Sequence, residues 1–212
     1  MSFDSLAPYY RSMEYILAGS QLHRCRTAFL GDVTQAKTAL LLGEGPGRYL
    51  VELLRVNPSV KVTCVDSSDR MLAAARERIR AQRLSERNIR FVRADWIERP
   101  GERGPFDLVA THFFLDCFRA DQLAEVAAKV RAASSSGAVW VLSDFCVPAG
   151  GWQRFRARLV LKLAYLFFRW ATDLPASKLE PPGPFLEAQG FQLLERRLFH
   201  YGLLYAELWR AL

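Results

Sequence analysis

"ALLLGEGPGRYL", residues 39–50, joins an apolar run to three glycines at alternate positions, Gly43, Gly45 and Gly47. A run that apolar belongs in a core, where packing favours side chains over glycine. Glycines at a strand's exit let the backbone turn tightly. They also let a ligand approach the free N–H groups of the helix that follows. The stretch therefore predicts the first strand, glycine turn and first helix of a nucleotide-binding type of α/β unit.

Working outward, strand-like runs alternate with helical ones. Residues 38–43, 60–66, 88–95, 106–114 and 137–145 are apolar and strand-like, and helices are expected over 48–56, 68–84 and 119–133. That alternation predicts βαβ units, a mostly parallel sheet and helices on both faces. Residues 134–137, "SSSG", are expected as a short turn before the fifth strand. A short helix is expected over 185–191, and 191–211 as two strands turning at Tyr201-Gly202, an antiparallel close to the sheet. The expected fold is α/β, a Rossmann-like doubly wound, mostly parallel seven-stranded sheet with an antiparallel C-terminal hairpin. N-terminal helices precede it, and an amphipathic helix is inserted over 151–174. One domain accommodates all of this: a helical cap over 1–37, a core over 38–145, a helical lid over 146–184 and the closing helix and hairpin over 185–212.

Half of the 212 residues are hydrophobic, 24% are charged, and the net charge is +7. Basicity is compatible with nucleic acid, a membrane surface or an anionic ligand, and does not choose among them. Cys25, Cys64, Cys117 and Cys146 lie far apart with no CxxC pair, so neither a zinc site nor a disulfide framework is expected, and no metal ligand set is assigned. No run approaches the roughly 20 apolar residues of a membrane span, and the opening residues do not have the form of a signal peptide. These features predict a cytoplasmic protein. The 151–174 helix interleaves Trp152, Phe155, Leu159, Leu163, Leu166 and Trp170 with five basic residues. It is expected to be a lid over the pocket, a peripheral membrane contact or a dimer face.

Asp66 ends the second strand, 19 residues after Gly47. An acid there accepts hydrogen bonds from ribose hydroxyls, so the pattern predicts a nucleoside cofactor. Three details favour S-adenosylmethionine (SAM) over NAD. The glycine spacing is GxGxG, not GxGxxG. Asp95-Trp96 ends the third strand, where an adenine edge and face would be met. The fourth strand runs into "THFFLDCF" (111–118), an aromatic mouth suited to an organic substrate.

With these residues in place, the chain resembles the class I SAM-dependent methyltransferases. "LLLGEGPGR" is similar to that family's glycine motif, and "VTCVDSSDRMLAAARER" (62–78) to its ribose-acid strand and following helix. "RFVRADW" (90–96) resembles the adenine motif, and "FDLVATHFFLDCF" (106–118) the strand carrying substrate-side residues. The resemblance implies SAM as cofactor. It implies Gly43, Glu44, Gly45, Gly47, Asp66, Ser67, Met71, Asp95, Trp96 and Thr111 as cofactor-binding residues. The chain departs from the family at Leu41, where an acid is usual. Glu44 either takes over that role toward the methionine ammonium or is a solvated loop charge. The opening "FDSLAPYYRSMEYILAGSQLHR" (3–24) resembles that of the ubiquinone/menaquinone-biosynthesis C-methyltransferases through Ala7, Tyr10, Met13 and a shifted His23-Arg24.

Methyl transfer requires alignment, exclusion of water and, for an oxygen or carbon nucleophile, a base. His112 is the first candidate base, and its other reading is a neutral histidine packed beneath the lid; Tyr10 and Asp116 follow. A small hydrophobic or aromatic acceptor, quinol- or phenol-like, is expected. "THFF" after the fourth strand lacks the Asn/Asp-Pro-Pro-aromatic turn common to amino-group methylation of bases, so no nucleic-acid partner is expected. A nucleic-acid methyltransferase, an NAD-dependent oxidoreductase and a non-catalytic SAM-fold protein are the alternatives.

Overall fold

The computed structural model describes residues 20–98, 104–148, 150–152, 154–155 and 179–212. Helix α1 (Ser20–Arg26) and a 3-10 turn (Leu30–Val33) lead into β1 (Thr38–Leu42). Then come α2 (Arg48–Val56), β2 (Lys61–Asp66), α3 (Asp69–Ala81), β3 (Ile89–Arg93) and β4 (Phe106–His112). A 3-10 turn (Leu115–Cys117), α4 (Ala120–Ala133) and β5 (Ser134–Phe145) complete the parallel part. Helix α5 (Gly183–Ala188), β6 (Phe191–Phe199) and β7 (Leu204–Ala211) close the chain.

The seven strands lie in the order β3-β2-β1-β4-β5-β7-β6. β1 to β5 are parallel, and β7 runs antiparallel between β5 and β6. The expected fold is borne out, with the strand order reversing beside β1, where ligands of such sheets bind.

Alternation along each strand divides the core in two. Ala39 and Leu41 of β1 join Val62, Cys64, Leu108 and Ala110 on one face, beneath α1, α2 and α3. Leu40 and Leu42 join Val109, Trp140 and Leu142 on the other, beneath α4 and α5. Helix α4 buries Leu123, Val126, Ala127, Val130 and Ala133, the stripe that a 3.6-residue period turns toward a sheet. Asp107 ties β4 to the start of β1, its two oxygens accepting from Lys37 N and Thr38 N at 2.8 Å each.

One element departs from expectation. Residues 134–136 belong to β5 rather than to a turn: Ser134 pairs with Phe106, and the register then shifts between Phe106 and Leu108. The irregularity absorbs the polar serines at the strand's exposed start. The 1–19 part of the expected cap, and most of the 151–174 helix, lie outside the described residues, as does Tyr10. Trp152 and Phe155, which are described, are 73% and 61% exposed and stack at 5.6 Å. Among the described residues no helix is long and apolar enough to cross a membrane.

Candidate cofactor and acceptor site

A pocket opens at the carboxyl ends of β1 and β2. Its floor is Gly43, Gly45, Asp66, Ser67 and Met71, one wall carries Asp95 and Trp96, and Phe113, Phe114, Cys117 and Phe118 form the other. Seven of the ten expected cofactor residues line it.

The three glycines do three different things, all at positive φ. At Gly43 a Cβ would lie 2.2 Å from the Phe114 ring, so the absent side chain lets an aromatic wall close on the loop. At Gly45 a Cβ would meet nothing within 4 Å. That glycine leaves open pocket space, while its N–H donates to Asp66 Oδ2 at 3.0 Å. At Gly47 a Cβ would lie 2.9 Å from Ala75 Cα, so this glycine seats α2 against α3 and does not face the pocket. Arg78 of α3 fastens the same junction by donating to the Pro46 carbonyl at 2.7 Å.

A paired prediction separates these roles. Gly47→Ala adds left-handed strain of about 1–2 kcal/mol to a backbone clash, and a total of roughly 2–4 kcal/mol should lower Tm by about 5–15 °C. Gly45→Ala has the same strain without the clash. Its methyl occupies ligand space, so about tenfold or more should be lost in cofactor-product affinity with about half the fall in Tm. Thermal unfolding and calorimetry on both variants decide it, and a reversed pattern would refute the assignment.

Asp66 is the hub of the floor. Only 9% exposed, it accepts from Gly45 N through Oδ2 and from Ser68 N at 2.9 Å through Oδ1. Ser68 in turn caps α3 by accepting from Met71 N at 3.2 Å. Asp95 holds its own turn by accepting from Ile97 N at 2.9 Å. Trp96 is 4% exposed, and its indole Nε1 has no hydrogen-bond partner among the described residues.

The structure redirects three other expected residues. Glu44 turns to the N-terminus of α2, where Oε1 accepts from Tyr49 N at 2.8 Å and Leu50 N at 3.0 Å. Gly47, at the cap position, offers no side chain, and Glu44 satisfies those two amides in its place. Burial pushes the Glu44 carboxyl up to about 7, against the pull of those amides and of Arg26. Thr111 is buried in the core, accepting from Trp140 Nε1 at 3.0 Å. His112 points to the opposite face, packs 4.3 Å from the Tyr49 ring and meets Ser143 Oγ through Nδ1 at 2.9 Å. Burial, and then Arg26, hold its imidazole well below the usual range, so it stays neutral. Adjacent strand residues point to opposite faces, so neither end of this pair reaches a pocket that begins only at Phe113.

Asp116 is placed differently. It lies in the 3-10 turn after β4, beside pocket-lining Cys117, whose Sγ donates to its Oδ1 at 3.6 Å. Its backbone N–H donates to Oδ2 of Asp144, a 2% exposed residue near the end of β5 that sequence reasoning did not single out. Burial pushes Asp116 up to about 6. Burial, and then the charge of Asp116, push Asp144 well above the usual carboxylate range. Two carboxyls in contact ionise as a coupled pair, and burial raises both.

Residues 39–137 match a family model described as a methyltransferase domain. Over 98 residues the chain is 32% identical to demethylmenaquinone methyltransferase of Chlamydia felis, covering 46% of this chain and 40% of that protein. Among solved structures it is similar to mitomycin 7-O-methyltransferase, with a TM-score of 0.74 at 16% identity, covering all of this chain and 61% of the other. It is also similar to human N-acetylserotonin methyltransferase in complex with SAM, with a TM-score of 0.65 at 16% identity, covering 97% of this chain and 55% of that one. The chain thus spans about two-fifths to three-fifths of the length of these proteins. The family model and the Chlamydia felis relative bear out the methyltransferase resemblance that the four motifs carry, and the solved structures bear out the fold.

Proposed function

We propose that this chain is a SAM-dependent methyltransferase acting on a small, hydroxyl-bearing aromatic acceptor. The observation that carries the reading is the meeting of three features in one pocket. These are the Asp66 carboxylate at the second strand's end, the open space at Gly45 and the Trp96 side chain on the wall. Asp66 would hold the ribose, and Asp95 and Trp96 the adenine. Gly43 and Gly45 would let the backbone come close. Bound there, SAM supplies an electrophilic sulfonium methyl.

The chain's own residues then do four things. Phe113, Phe114 and Phe118 exclude water and present ring faces to an aromatic acceptor. Asp116, ionised at neutral pH, accepts the proton of the acceptor's hydroxyl. Asp144 fixes the turn that carries Asp116. Glu44 orders the start of α2, where the glycine loop ends.

The test is calorimetric titration with S-adenosylhomocysteine and, in parallel, NADH. Micromolar binding of the first and none of the second is expected. Binding of NADH alone, or of neither, would overturn the reading.

A further inference from the structure

A second cavity opens at the edge of the sheet opposite the cofactor pocket. It is a cleft of about 480 Å³ at the amino ends of β1, β2 and β3, against the residues that enter β4. Alternate residues of a strand share a face, and Leu40, Leu42 and Val65 set one such face in the core. Toward the amino ends the same rows reach Thr38 on β1, Lys61 and Thr63 on β2, and Arg90 on β3. Strand register puts Thr38 beside Lys61 and Thr63 beside Arg90. All four line the cleft, and Arg87 and Asn88 join them. Among the described residues no helix lies between β3 and β4 to cover this end of the face. The apolar rows thus turn cationic and hydroxylic where the cleft begins.

Both sides of the cleft are fastened. A Cβ at Gly104 would lie 1.9 Å from the Ala133 carbonyl oxygen, so the entry to β4 rests directly on the end of α4. Ser135 Oγ donates to the Phe106 carbonyl at 3.2 Å on the same side. On the other, Val62 N donates to the Asn88 carbonyl at 2.8 Å, and Ile89 N to the Glu86 carbonyl at 3.0 Å.

The lining carries charge of one sign. Lys61, Arg87 and Arg90 face no carboxylate in it. Glu86, next to Arg87 in sequence, pairs instead with Arg80 at 2.8 Å. Asp107 lies outside the lining and accepts from Lys37 N and Thr38 N. Among the described residues neither Lys61 nor Arg87 has a carboxylate partner. A concave surface of one charge raises the local concentration of the opposite ion. Guanidinium and ammonium donors beside hydroxyls and an amide suit phosphoryl oxygens. The volume is that of a small-molecule site.

We infer that this cleft is a second ligand site, separate from the cofactor pocket, for a small phosphate-bearing anion. Lys61, Arg87 and Arg90 supply the charge, and Asn88 and Thr63 supply neutral hydrogen bonds. Nothing in the site requires a cofactor bound at the other edge.

The experiment is calorimetric titration of the full chain with inorganic pyrophosphate at fixed ionic strength, repeated with saturating S-adenosylhomocysteine. Wild type should bind pyrophosphate with a Kd of about 1 mM or tighter, equally in both titrations. The double variant Lys61→Ala/Arg87→Ala should bind it about tenfold or more weakly, the loss expected of two partly exposed ion pairs to one anion. Arg24→Ala/Arg210→Ala removes the same charge from exposed positions outside the lining and should stay within about twofold of wild type. No saturable binding by wild type overturns the inference. Binding abolished by S-adenosylhomocysteine does so too, because it places the anion in the cofactor pocket. Equal losses in the two double variants also overturn it, since they mean diffuse surface charge. Should Lys61→Ala/Arg87→Ala fail to fold, Lys61→Gln decides alone, with about threefold weaker binding expected. Failure of the cofactor reading shows separately, as wild type that does not bind S-adenosylhomocysteine, and the variants then decide.

Discussion

Asp116→Asn should slow methyl transfer to a hydroxyl acceptor by about 10²–10⁴-fold, the contribution of a well-placed general base. Affinity for S-adenosylhomocysteine should stay within about twofold, because Asp116 stands beside the acceptor wall and not on the cofactor floor. The wild-type pH profile should carry the same signature. Burial lifts the Asp116 carboxyl to about 6, so kcat/KM should fall about tenfold per pH unit below that value as the base becomes protonated. The variant should lose this acid limb. Stability separates this from a folding defect. A carboxyl whose folded value is raised stabilises the fold below its unfolded value, about 3.9, and that contribution is lost as pH rises through about 6. At pH 7 the neutral asparagine therefore relieves a burial penalty and should not lower Tm through charge. Turnover like wild type, or an acid limb that survives the substitution, would remove Asp116 from the reaction.

Much of this was legible in the residues because the signals are local. The period-2 burial of Leu40 and Leu42 against Ala39 and Leu41 follows from an apolar run too short for a helix. The ends of α3 follow from Ser68 and the Met71–Ala75–Ile79 stripe. The ribose acid needed only its place at a strand end. What was not legible depends on contacts across the sheet or between helices. Nothing within 39–50 says that Gly47 meets Ala75 while Gly45 meets open space, since both precede the same helix. Nor does the sequence show Glu44 reaching five and six residues ahead to cap α2. His112 was expected at the site because it ends β4, yet the pocket starts one residue later, where the strand stops alternating. Asp144 resembles any polar residue near the end of a strand. It becomes informative only when the turn after β4 brings Asp116 N to 3.1 Å from it, across 28 positions of sequence.

Asp66→Ala should weaken S-adenosylhomocysteine by about 1.5–3 kcal/mol, roughly 10–150-fold, the order of charge-assisted hydrogen bonds to a ribose. The structure complicates a simple reading of that loss. Asp66 also orders the loop, accepting from Gly45 N and Ser68 N, so its removal loosens the floor as well as the ligand contact. Two controls divide the effects. Ser68→Ala removes the α3 cap given to Met71 N and should cost about 1 kcal/mol of stability with little change in affinity. The 2′-deoxy form of S-adenosylhomocysteine removes a partner from the ligand instead. Wild type should lose affinity for it, and Asp66→Ala should lose little more. A coupling of about 1 kcal/mol or more in this cycle assigns the contact to the ribose hydroxyl. Equal losses for both ligands in both proteins would leave Asp66 as a brace for the glycine loop, and the nucleoside would have to be held by Asp95 and Trp96.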